Sequence, residues 1–495
     1  MTDSARLAGA AAWNVGGKLF QFAVALVAVA VIARWVGPHA YGVFALSWIA
    51  VGLFEIVVSA APSDGLVQRG TLRPGHGDAT FRATLAIALA ACLGLWAAAD
   101  VLGALLGGGD ELASILPARS LTLPLAAIAC VPTALMMRAG RFRELAGAGA
   151  ASGLVSAAVG IAGAIGGLGI WSLVAMELAR QATNTALVLR AARWRPGFGA
   201  CRAEAAELLG FNLRTVAAWG IGYVDGQLPR LLIGHLLGPQ ALGYYALAHR
   251  LYDQASAALM VPAYQAVMAG IARAQADPAT VARLLRSATR AAGLVACPLF
   301  LGLAAVAPLL VPAFFGAQWV EAVPVVQVLM LLGVRASTSM VQMAVVRGMG
   351  RSDLHLAMSA AGLAMTVVLC ALAAPFGLLG IAAAMVVRAW ATWPIYARFV
   401  GALTGLGWRA QAACASGPFL AGLAMAAGTA AAVTAMQAAA VPPLEALAAA
   451  VACGAVLYVA ALGVFARDAV AFGLAALRSV VRRDRAALAR LLGGS

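Results

Sequence analysis

The sequence predicts an all-α membrane protein with fourteen transmembrane helices, arranged as two six-helix lobes in a parallel repeat plus two C-terminal helices. Four observations lead to this fold class. Hydrophobic residues make up 63% of the 495-residue chain and charged residues only 11%, more apolar surface than a soluble protein of this size can bury. Apolar stretches of about 20 residues, the length that crosses a bilayer as a helix, recur along the chain. Basic loop residues alternate in number, and part of the sequence repeats.

The apolar stretches give the number of spans. By length they lie at residues 10–33, 40–61, 82–106, 118–137, 145–167, 170–189, 208–235, 241–268, 290–314, 323–346, 354–374, 378–397, 412–436 and 443–466. The first contains Asn14, Lys18 and Gln21 and is longer than the apolar core of a signal peptide. We therefore interpret it as a retained first helix.

Loop charge is an independent check on this count, because short cytoplasmic loops of membrane proteins are rich in Lys and Arg. Eighteen arginines fall in the loops after even-numbered spans, whereas the loops after odd-numbered spans hold Arg34 alone. The acidic residues Asp110, Glu111, Glu321 and Glu445 fall on this second side. The alternation predicts that both termini are cytoplasmic.

The chain also repeats itself. The segments Val36–Leu46 and Leu237–Leu247 share the pattern G-P-x-A-x-G-x-aromatic-A-L at an offset of 201 residues. Two further similarities follow in order, Arg138–Arg141 with Arg347–Arg351 and Leu168-Gly169-Ile170 with Leu379-Gly380-Ile381. Six spans per copy give both copies the same orientation, so the repeat axis is expected to run along the membrane normal.

The repeat sets the expected domain boundaries. We predict an N-terminal lobe at 1–200, a C-terminal lobe at 201–405, helices 13 and 14 at 406–466 and a basic cytoplasmic tail at 467–495. The tail segment Arg478–Leu492 mixes basic and apolar residues at helical spacing. An interfacial helix on the anionic leaflet and a loosely ordered topology anchor both explain it, and the sequence does not choose between them.

Several classes of function are excluded. The seven cysteines are scattered and have no histidine at metal-ligand spacing, so no metal or other cofactor is expected. All but one of the 34 basic residues are arginines spread over loops and spans without a nucleic-acid-binding motif, which argues against nucleic acid as a partner. Nucleotide-binding loops and hydrolase motifs are absent from the sequence as well. We do not expect an enzyme.

Ionisable residues inside the spans point to a function, because each costs about 2.5–3.5 kcal/mol at mid-bilayer. Basic residues outnumber acidic ones there. A guanidinium group matches phosphate oxygens and stays charged when buried, so an Arg-rich cavity suits a phosphate or diphosphate group. The predicted substrate-binding residues of this cationic cavity are Lys18, Arg214, Arg230, Arg250, Arg335 and Arg388.

Some of these charges have a second explanation. Glu177 with Arg180, and Arg250 with Asp253, are three residues apart and fit self-neutralising pairs on one helix face. Glu55 fits a pair with Lys18, and Arg119 is placed near the outer end of span 4. The candidates for coupling transport to H⁺ or Na⁺ are Glu177, Asp225 and Asp253.

Three loop motifs resemble a known family. Leu237–Tyr245, the stretch Val311–Trp319 followed by Ala322-Val323-Pro324, and the turn Gly348–Asp353 are similar to those of oligosaccharide (Wzx-type) flippases. These form the polysaccharide-biosynthesis branch of the multidrug/oligosaccharidyl-lipid/polysaccharide exporter superfamily. The likeness covers residues 1–400, and helices 13 and 14 only by their number.

The resemblance implies a bacterial inner-membrane protein with two lobes in a V shape and alternating access. It implies an undecaprenyl-diphosphate-linked oligosaccharide as cargo, moved to the periplasmic leaflet for O-antigen, capsule or exopolysaccharide assembly and passed to a periplasmic polymerase. Two alternatives share the fold: a cation-coupled multidrug or metabolite antiporter, and a flippase for peptidoglycan lipid precursors. An antiporter for organic cations is expected to have an acidic cavity, whereas the predicted cavity is basic.

Overall fold

The computed structural model describes residues 27–197, 202–275 and 277–466, and within these ranges the regular structure is entirely helical. The α-helices are α1 (Val27–Val36), α2 (Pro38–Glu55), α3 (Ala61–Gln68), α4 (Pro74–Ala97), α5 (Ala99–Leu106), α6 (Gly109–Ser120), α7 (Thr122–Arg138), α8 (Phe142–Ile165), α9 (Ile170–Ala192), α10 (Arg202–Arg273), α11 (Pro278–Phe315), α12 (Val323–Gly348), α13 (Ser352–Ala373), α14 (Gly377–Thr404), α15 (Trp408–Ala438) and α16 (Pro443–Phe465). A π-helical turn, Ile56–Ala60, joins α2 to α3, and short 3₁₀ turns precede α12 and α14.

Helices occupy all fourteen predicted span positions in the described part of the chain, which confirms the predicted fold class. Span 2 is α2 with α3, span 3 is α4 with α5, and span 4 is α6 with α7. Spans 7 and 8 are the two arms of α10, which bends at Gly238. Nine helical stretches of the described residues are long and apolar enough to cross a membrane by themselves.

The chain divides into two compact units, Met1–Ala246 and Leu247–Ser495. The first unit extends through the first arm of α10 to Ala246, whereas the repeat places the lobe boundary at residue 200. The basic tail at 467–495 lies outside the described residues, as does most of span 1. The lobe boundaries stay predictions.

Small residues bring helices of the first unit together. Gly160 in α8 packs against Ile32 and Met176, where a methyl group would come within 2.7 Å of the Ile32 side chain. The Ser156 hydroxyl donates to the Met176 carbonyl at 3.0 Å. Helices in lipid associate through such close contacts and interhelical hydrogen bonds, because the lipid removes the hydrophobic driving force.

The second unit is built on α11. Gly333 of α12 lies against the ring of Phe300, with room for no further carbon, and Gly422 of α15 lies against Cys297. The Tyr458 hydroxyl of α16 donates to the Leu294 carbonyl at 2.9 Å. The helices α15 and α16, which correspond to the predicted helices 13 and 14, therefore pack against α11 and belong to this unit.

Two of the three sequence similarities are also similarities of backbone. Gly37 and Gly238, which precede the repeated prolines, have φ/ψ of 80°/166° and 84°/173°. Gly140 and Gly350 end their helices with φ of 68° and 70°. These are conformations that glycine adopts without a steric penalty. The internal repeat is confirmed at both places.

The third similarity is wrong as a structural equivalence. Gly169 stands before α9 with a φ of 53° and a ψ of −128°, whereas Gly380 lies inside α14. The conformation of Gly169 is approached instead by Gly377, with a φ of 68° and a ψ of −158°. A match of three common residues is too short to establish which positions of the two copies are structurally equivalent.

The two G-P motifs contact each other reciprocally. A methyl group on Gly42 would lie 1.7 Å from the Pro239 carbonyl oxygen, and one on Gly243 would lie 1.9 Å from the Pro38 carbonyl oxygen. Each glycine therefore allows the backbone of the other G-P motif to approach closely. The contact is symmetric, because the glycine of each motif lies against the proline carbonyl of the other.

Candidate functional site

A cavity of about 190 Å³ lies within the second unit, between α11, α12, α14 and α15. Arg335 of α12 lines it and is only 2% exposed. Its Nε donates to the Ala389 carbonyl at 3.1 Å, Nη1 to the Thr338 hydroxyl at 2.6 Å and Nη2 to Gln342 Oε1 at 3.4 Å. All three acceptors are neutral.

A chain of buried amides continues from Arg335. Gln342 Nε2 donates to Gln411 Oε1 at 3.0 Å, and Gln411 Nε2 donates to the carbonyls of Ala397 and Leu406 at 2.9 and 2.8 Å. The network holds the side chains of α12, α14 and α15 in fixed positions around the cavity. Such a fully bonded network is rigid, because every buried polar group has its partner.

Aromatic rings complete the wall. The Trp393 ring centroid lies 6.0 Å from the Arg335 guanidinium carbon, and Trp390 packs against Phe419 at 5.6 Å. Among the described residues that line the cavity none is acidic. The one formal charge in the wall is therefore positive, and the cavity chemistry suits an anion with apolar or ring-shaped parts.

Arg388 lies elsewhere. It is on α14, half-buried, and its Nη2 atom lies against Gly362 of α13, where a methyl group would come within 3.0 Å. It is not among the residues that line the Arg335 cavity. The structure does not bring these two predicted arginines together.

Three of the other predicted cations, Arg214, Arg230 and Arg250, are on α10. Arg230 is half-buried and donates to Gln227 Oε1 at 3.1 Å, and Arg250 is exposed. Lys18 lies outside the described residues, and so does the side chain of Arg214. The substrate role of these four residues, like that of Arg335 and Arg388, remains a prediction.

The three candidates for ion coupling have different surroundings. Glu177 is 4% exposed and forms a two-pronged ion pair with Arg180, so the pairing explanation is the one that the structure supports. Asp253 accepts from His249 at 3.0 Å instead of pairing with Arg250. Asp225 is half-buried on α10.

Arg119 is the residue that the sequence prediction misplaced. Its side chain is 0% exposed, and its guanidinium carbon lies 4.4 Å from the centroid of the Trp48 ring. Nη1 donates to the Thr122 hydroxyl, whereas Nε and Nη2 have no hydrogen-bond partner among the described residues. Its electrostatic neighbours are Glu177, Glu55 and Arg180.

The error came from the start of span 4. The prediction began it at residue 118, but the helix begins at Gly109 and the span is 30 residues long. At 1.5 Å per residue Arg119 lies about 15 Å inside it. The acidic residues Asp110 and Glu111, directly after a glycine turn, are a typical helix start and were the signal available in the sequence.

A cluster of charges, the α10 clasp, fixes the start of α10 to the loop before α4. Glu207 forms ion pairs with Arg69 and, at 3.7 Å, with Arg73, and it accepts from His76 Nε2 at 3.1 Å. His76 is 1% exposed, and its Nδ1 accepts from the Arg73 backbone N–H at 2.9 Å. The hydrogen bond from His76 is the main reason that the pKa of Glu207 is lowered from its ordinary value.

Sequence comparison places the chain in a family. The profile described as polysaccharide biosynthesis protein matches residues 31–324, more than half of the chain. The chain belongs to this family. The identification from the loop motifs, a Wzx-type protein of the polysaccharide-biosynthesis branch, is thereby confirmed.

Two curated relatives of this family member are similar over about two thirds of its length. The succinoglycan biosynthesis transport protein ExoT of Rhizobium meliloti (strain 1021) is 27% identical over 321 residues, 64% of each chain. The lipopolysaccharide biosynthesis protein WzxC of Escherichia coli (strain K12) is 22% identical over 336 residues, 66% of this chain and 67% of that one. The chain thus spans less than two thirds of the length of the first of these relatives.

Solved structures share the fold. The lipid II flippase MurJ in an inward closed conformation has a TM-score of 0.74 at 12% identity and covers 92% of this chain and 98% of its own. An inward-facing multidrug resistance MATE family transporter of the MOP superfamily has a TM-score of 0.60 at 14% identity, over 78% of this chain and 96% of its own. At these identities the likeness concerns the fold alone.

Proposed function

We propose that this protein is a flippase that moves a lipid-linked, undecaprenyl-diphosphate-bearing oligosaccharide from the cytoplasmic to the periplasmic leaflet. The flipped unit would enter O-antigen, capsule or exopolysaccharide assembly through a periplasmic polymerase. Membership of the polysaccharide biosynthesis family supports the class of function. Two relatives named for succinoglycan transport and lipopolysaccharide biosynthesis support the class of cargo.

The observation that carries the proposal is the environment of Arg335. A buried cation whose hydrogen bonds go only to neutral acceptors keeps its charge uncancelled, and such a charge inside a membrane is retained where it meets an anion. The diphosphate of the carrier lipid is an anion of this kind. The sequence-predicted cations Lys18, Arg214, Arg230, Arg250 and Arg388 are proposed to contact the headgroup during its passage.

The proposal includes the architecture that alternating access requires. The proposed lobes are residues 1–200 and 201–405, and they face the two leaflets in turn. Both termini are proposed to be cytoplasmic in the bacterial inner membrane. Access that alternates from one side to the other lets a polar headgroup cross without an open pore.

Arg335→Ala tests the proposal. In a strain that lacks this gene, lipid-linked saccharide is expected to accumulate on the cytoplasmic leaflet, and the wild-type gene should restore polysaccharide export. Arg335→Ala should reduce restored export at least tenfold, because loss of a charged hydrogen-bonding contact to a phosphate is worth more than about 1.4 kcal/mol. Export is measured as surface polysaccharide per cell at equal protein in the membrane.

The matched control is Arg347→Ala, which removes an exposed arginine from the end of the same helix and should leave export near the wild-type value. Full export by Arg335→Ala would refute the cavity assignment. Unchanged lipid-linked sugars in the deletion strain, together with greater sensitivity to cationic drugs, would favour the antiporter alternative.

A further inference from the structure

Glu55 occupies an unusual position in the first unit. It is the last residue of α2 and is followed directly by the π-helical turn Ile56–Ala60, within the continuous membrane-spanning stretch Pro38–Gln68. π-helical turns are rare and occur frequently at functional sites. A partly buried carboxyl group in such a span requires a physical reason.

The surroundings of Glu55 are charged, but in the described part of the chain its carboxyl group forms no ion pair or hydrogen bond, and its predicted partner Lys18 lies outside that part. Its electrostatic neighbours are Arg119, Glu177 and Arg180. No described residue donates a hydrogen bond to it. The titratable groups that interact electrostatically with Glu55 are Arg119 of α6, Glu177 and Arg180 of α9 and Tyr223 of α10, and the Cys130 thiol of α7 donates to the Ser59 carbonyl of the π-helical turn.

Arg119 lacks hydrogen-bond acceptors for two of its guanidinium nitrogens, as Glu55 lacks donors, among the described residues. It is fully buried, yet Nε and Nη2 lack hydrogen-bond partners among the described residues. Buried N–H groups without acceptors are costly, and those of a cation more so. Of the two nearby carboxylates, Glu177 already uses its oxygens on Arg180. Glu55 is the acceptor that remains in the cluster.

We propose that Glu55 is a proton-binding site and that Arg119 receives its ionised form. In this structure Glu55 accepts no hydrogen bond from Nε or Nη2 of Arg119, and we assign this arrangement to the protonated, neutral carboxyl group. On deprotonation the Glu55 O–H bond breaks, the proton passes to water, and the carboxylate accepts hydrogen bonds from Nε and Nη2 of Arg119. The Glu177–Arg180 pair stays intact, so the charge of the cluster changes by one proton.

The π-helical turn gives this exchange a structural consequence. A π-turn holds one more residue than an α-turn, so the helix has spare length directly beside Glu55. Movement of the carboxylate towards Arg119 can change the register of Ile56–Ala60 and thus the position of α3. This site would couple transport to a proton gradient. The coupling role rests on the proposed function, whereas the existence of the proton-binding site does not depend on it.

Infrared spectroscopy of the full-length protein in lipid nanodiscs, without any cargo, tests the proton site. A difference spectrum between pH 7 and alkaline pH, a range in which exposed carboxyl groups stay ionised, should contain the carbonyl band of a protonated carboxyl group. Glu55→Gln should abolish this band, and Glu177→Gln, the matched buried carboxylate, should leave it. A band that survives Glu55→Gln, or no band in the wild-type protein, would overturn the proposal.

Arg119→Lys tests the pairing and keeps the test decisive if Glu55→Gln fails to fold. Lysine retains the charge but lacks the planar fork that binds both carboxylate oxygens. The ionised form of Glu55 should then be less stabilised, and its band should titrate at a higher pH than in the wild-type protein. A titration midpoint equal to that of the wild-type protein would contradict the pairing with Arg119.

Reconstituted vesicles test the coupling. Transport of lipid-linked saccharide should increase several-fold when a proton gradient is imposed on the wild-type protein, and Glu55→Gln should remove that increase. A gradient-dependent rate in Glu55→Gln would refute the coupling role. If the wild-type protein moves no such cargo, the proposed function fails, and the infrared result on Glu55 is unaffected.

Discussion

Two buried arginines are accommodated in different ways, and the difference bears on their roles. Each of the three guanidinium nitrogens of Arg335 donates one hydrogen bond, to a carbonyl, a hydroxyl and an amide oxygen, out of the five N–H groups that a guanidinium carries. Arg119 has one hydroxyl and the face of Trp48. A satisfied guanidinium group is held rigidly and presents its charge to a ligand, whereas an unsatisfied one gains stability by taking a new partner. Arg335 therefore suits binding and Arg119 suits a change of partner.

The α10 clasp predicts a pH-dependent stability at the level of a single residue. Since the pKa of Glu207 is lowered by its partners, the clasp stabilises the folded state above the ordinary carboxyl pKa of 4.5 and loses this effect as the pH falls through the lowered value. Glu207→Gln should reduce the melting temperature of the purified protein at pH 7. The reduction should shrink towards zero under strong acid, where Glu207 is protonated in both states.

Glu321→Gln is the control for this measurement, because Glu321 is an exposed carboxylate in a short 3₁₀ turn. Its melting temperature should match that of the wild-type protein at both pH values. An unchanged melting temperature of Glu207→Gln at pH 7 would mean that the ion pairs of the clasp contribute no net stability, as is common for exposed pairs.

The reciprocal contact of the G-P motifs leads to a prediction about the elements that carry them. A methyl group on Gly42 or on Gly243 would overlap a carbonyl oxygen of the other motif, so each alanine variant should lose about 1–3 kcal/mol or more through overpacking. A single movement of the two motifs away from each other relieves both overlaps. The double variant should therefore lose less than the sum of the two single losses.

Thermal unfolding in detergent measures these losses, with Gly94→Ala as the matched control. Gly94 is a helical glycine of α4 with nothing within 4 Å of the added carbon, and alanine there should be neutral or slightly stabilising. Melting temperatures of Gly42→Ala and Gly94→Ala that agree would show that the two motifs do not pack as closely as described.

Apolar length predicted the helices well and their ends less well. Within the described residues the helices lie at the predicted positions, because a membrane span needs about 20 apolar residues whatever its partners are. The start of α6 at Gly109 was missed because Asp110 and Glu111 made this stretch resemble a loop, although acidic residues are favourable in a first helical turn. The π-helical turn after Glu55 depends on packing against neighbouring helices and has no pattern in the sequence.

At the scale of the whole molecule, the sequence located Arg335 inside a span but did not determine which charges meet. The excess of cations and the position of Arg335 follow from composition and span length. The partners follow from which helix faces pack together, which one sequence does not determine. Asp253 pairs with His249 rather than Arg250. Glu55 has as an electrostatic neighbour Arg119, which the sequence placed too close to the outer end of its span.

The alternation of loop charge predicts the orientation of the whole chain, and cysteine labelling tests it. The native cysteines are replaced by serine, and single cysteines are placed at the exposed positions Asp110, Glu445, Arg143 and Asp353. A membrane-impermeant maleimide should label the first two in intact spheroplasts and the last two only after permeabilisation, because arginine-rich loops stay in the cytoplasm. One uncounted helix would reverse every position after it. Labelling of Asp353→Cys in intact spheroplasts would therefore contradict both the count and the cytoplasmic termini.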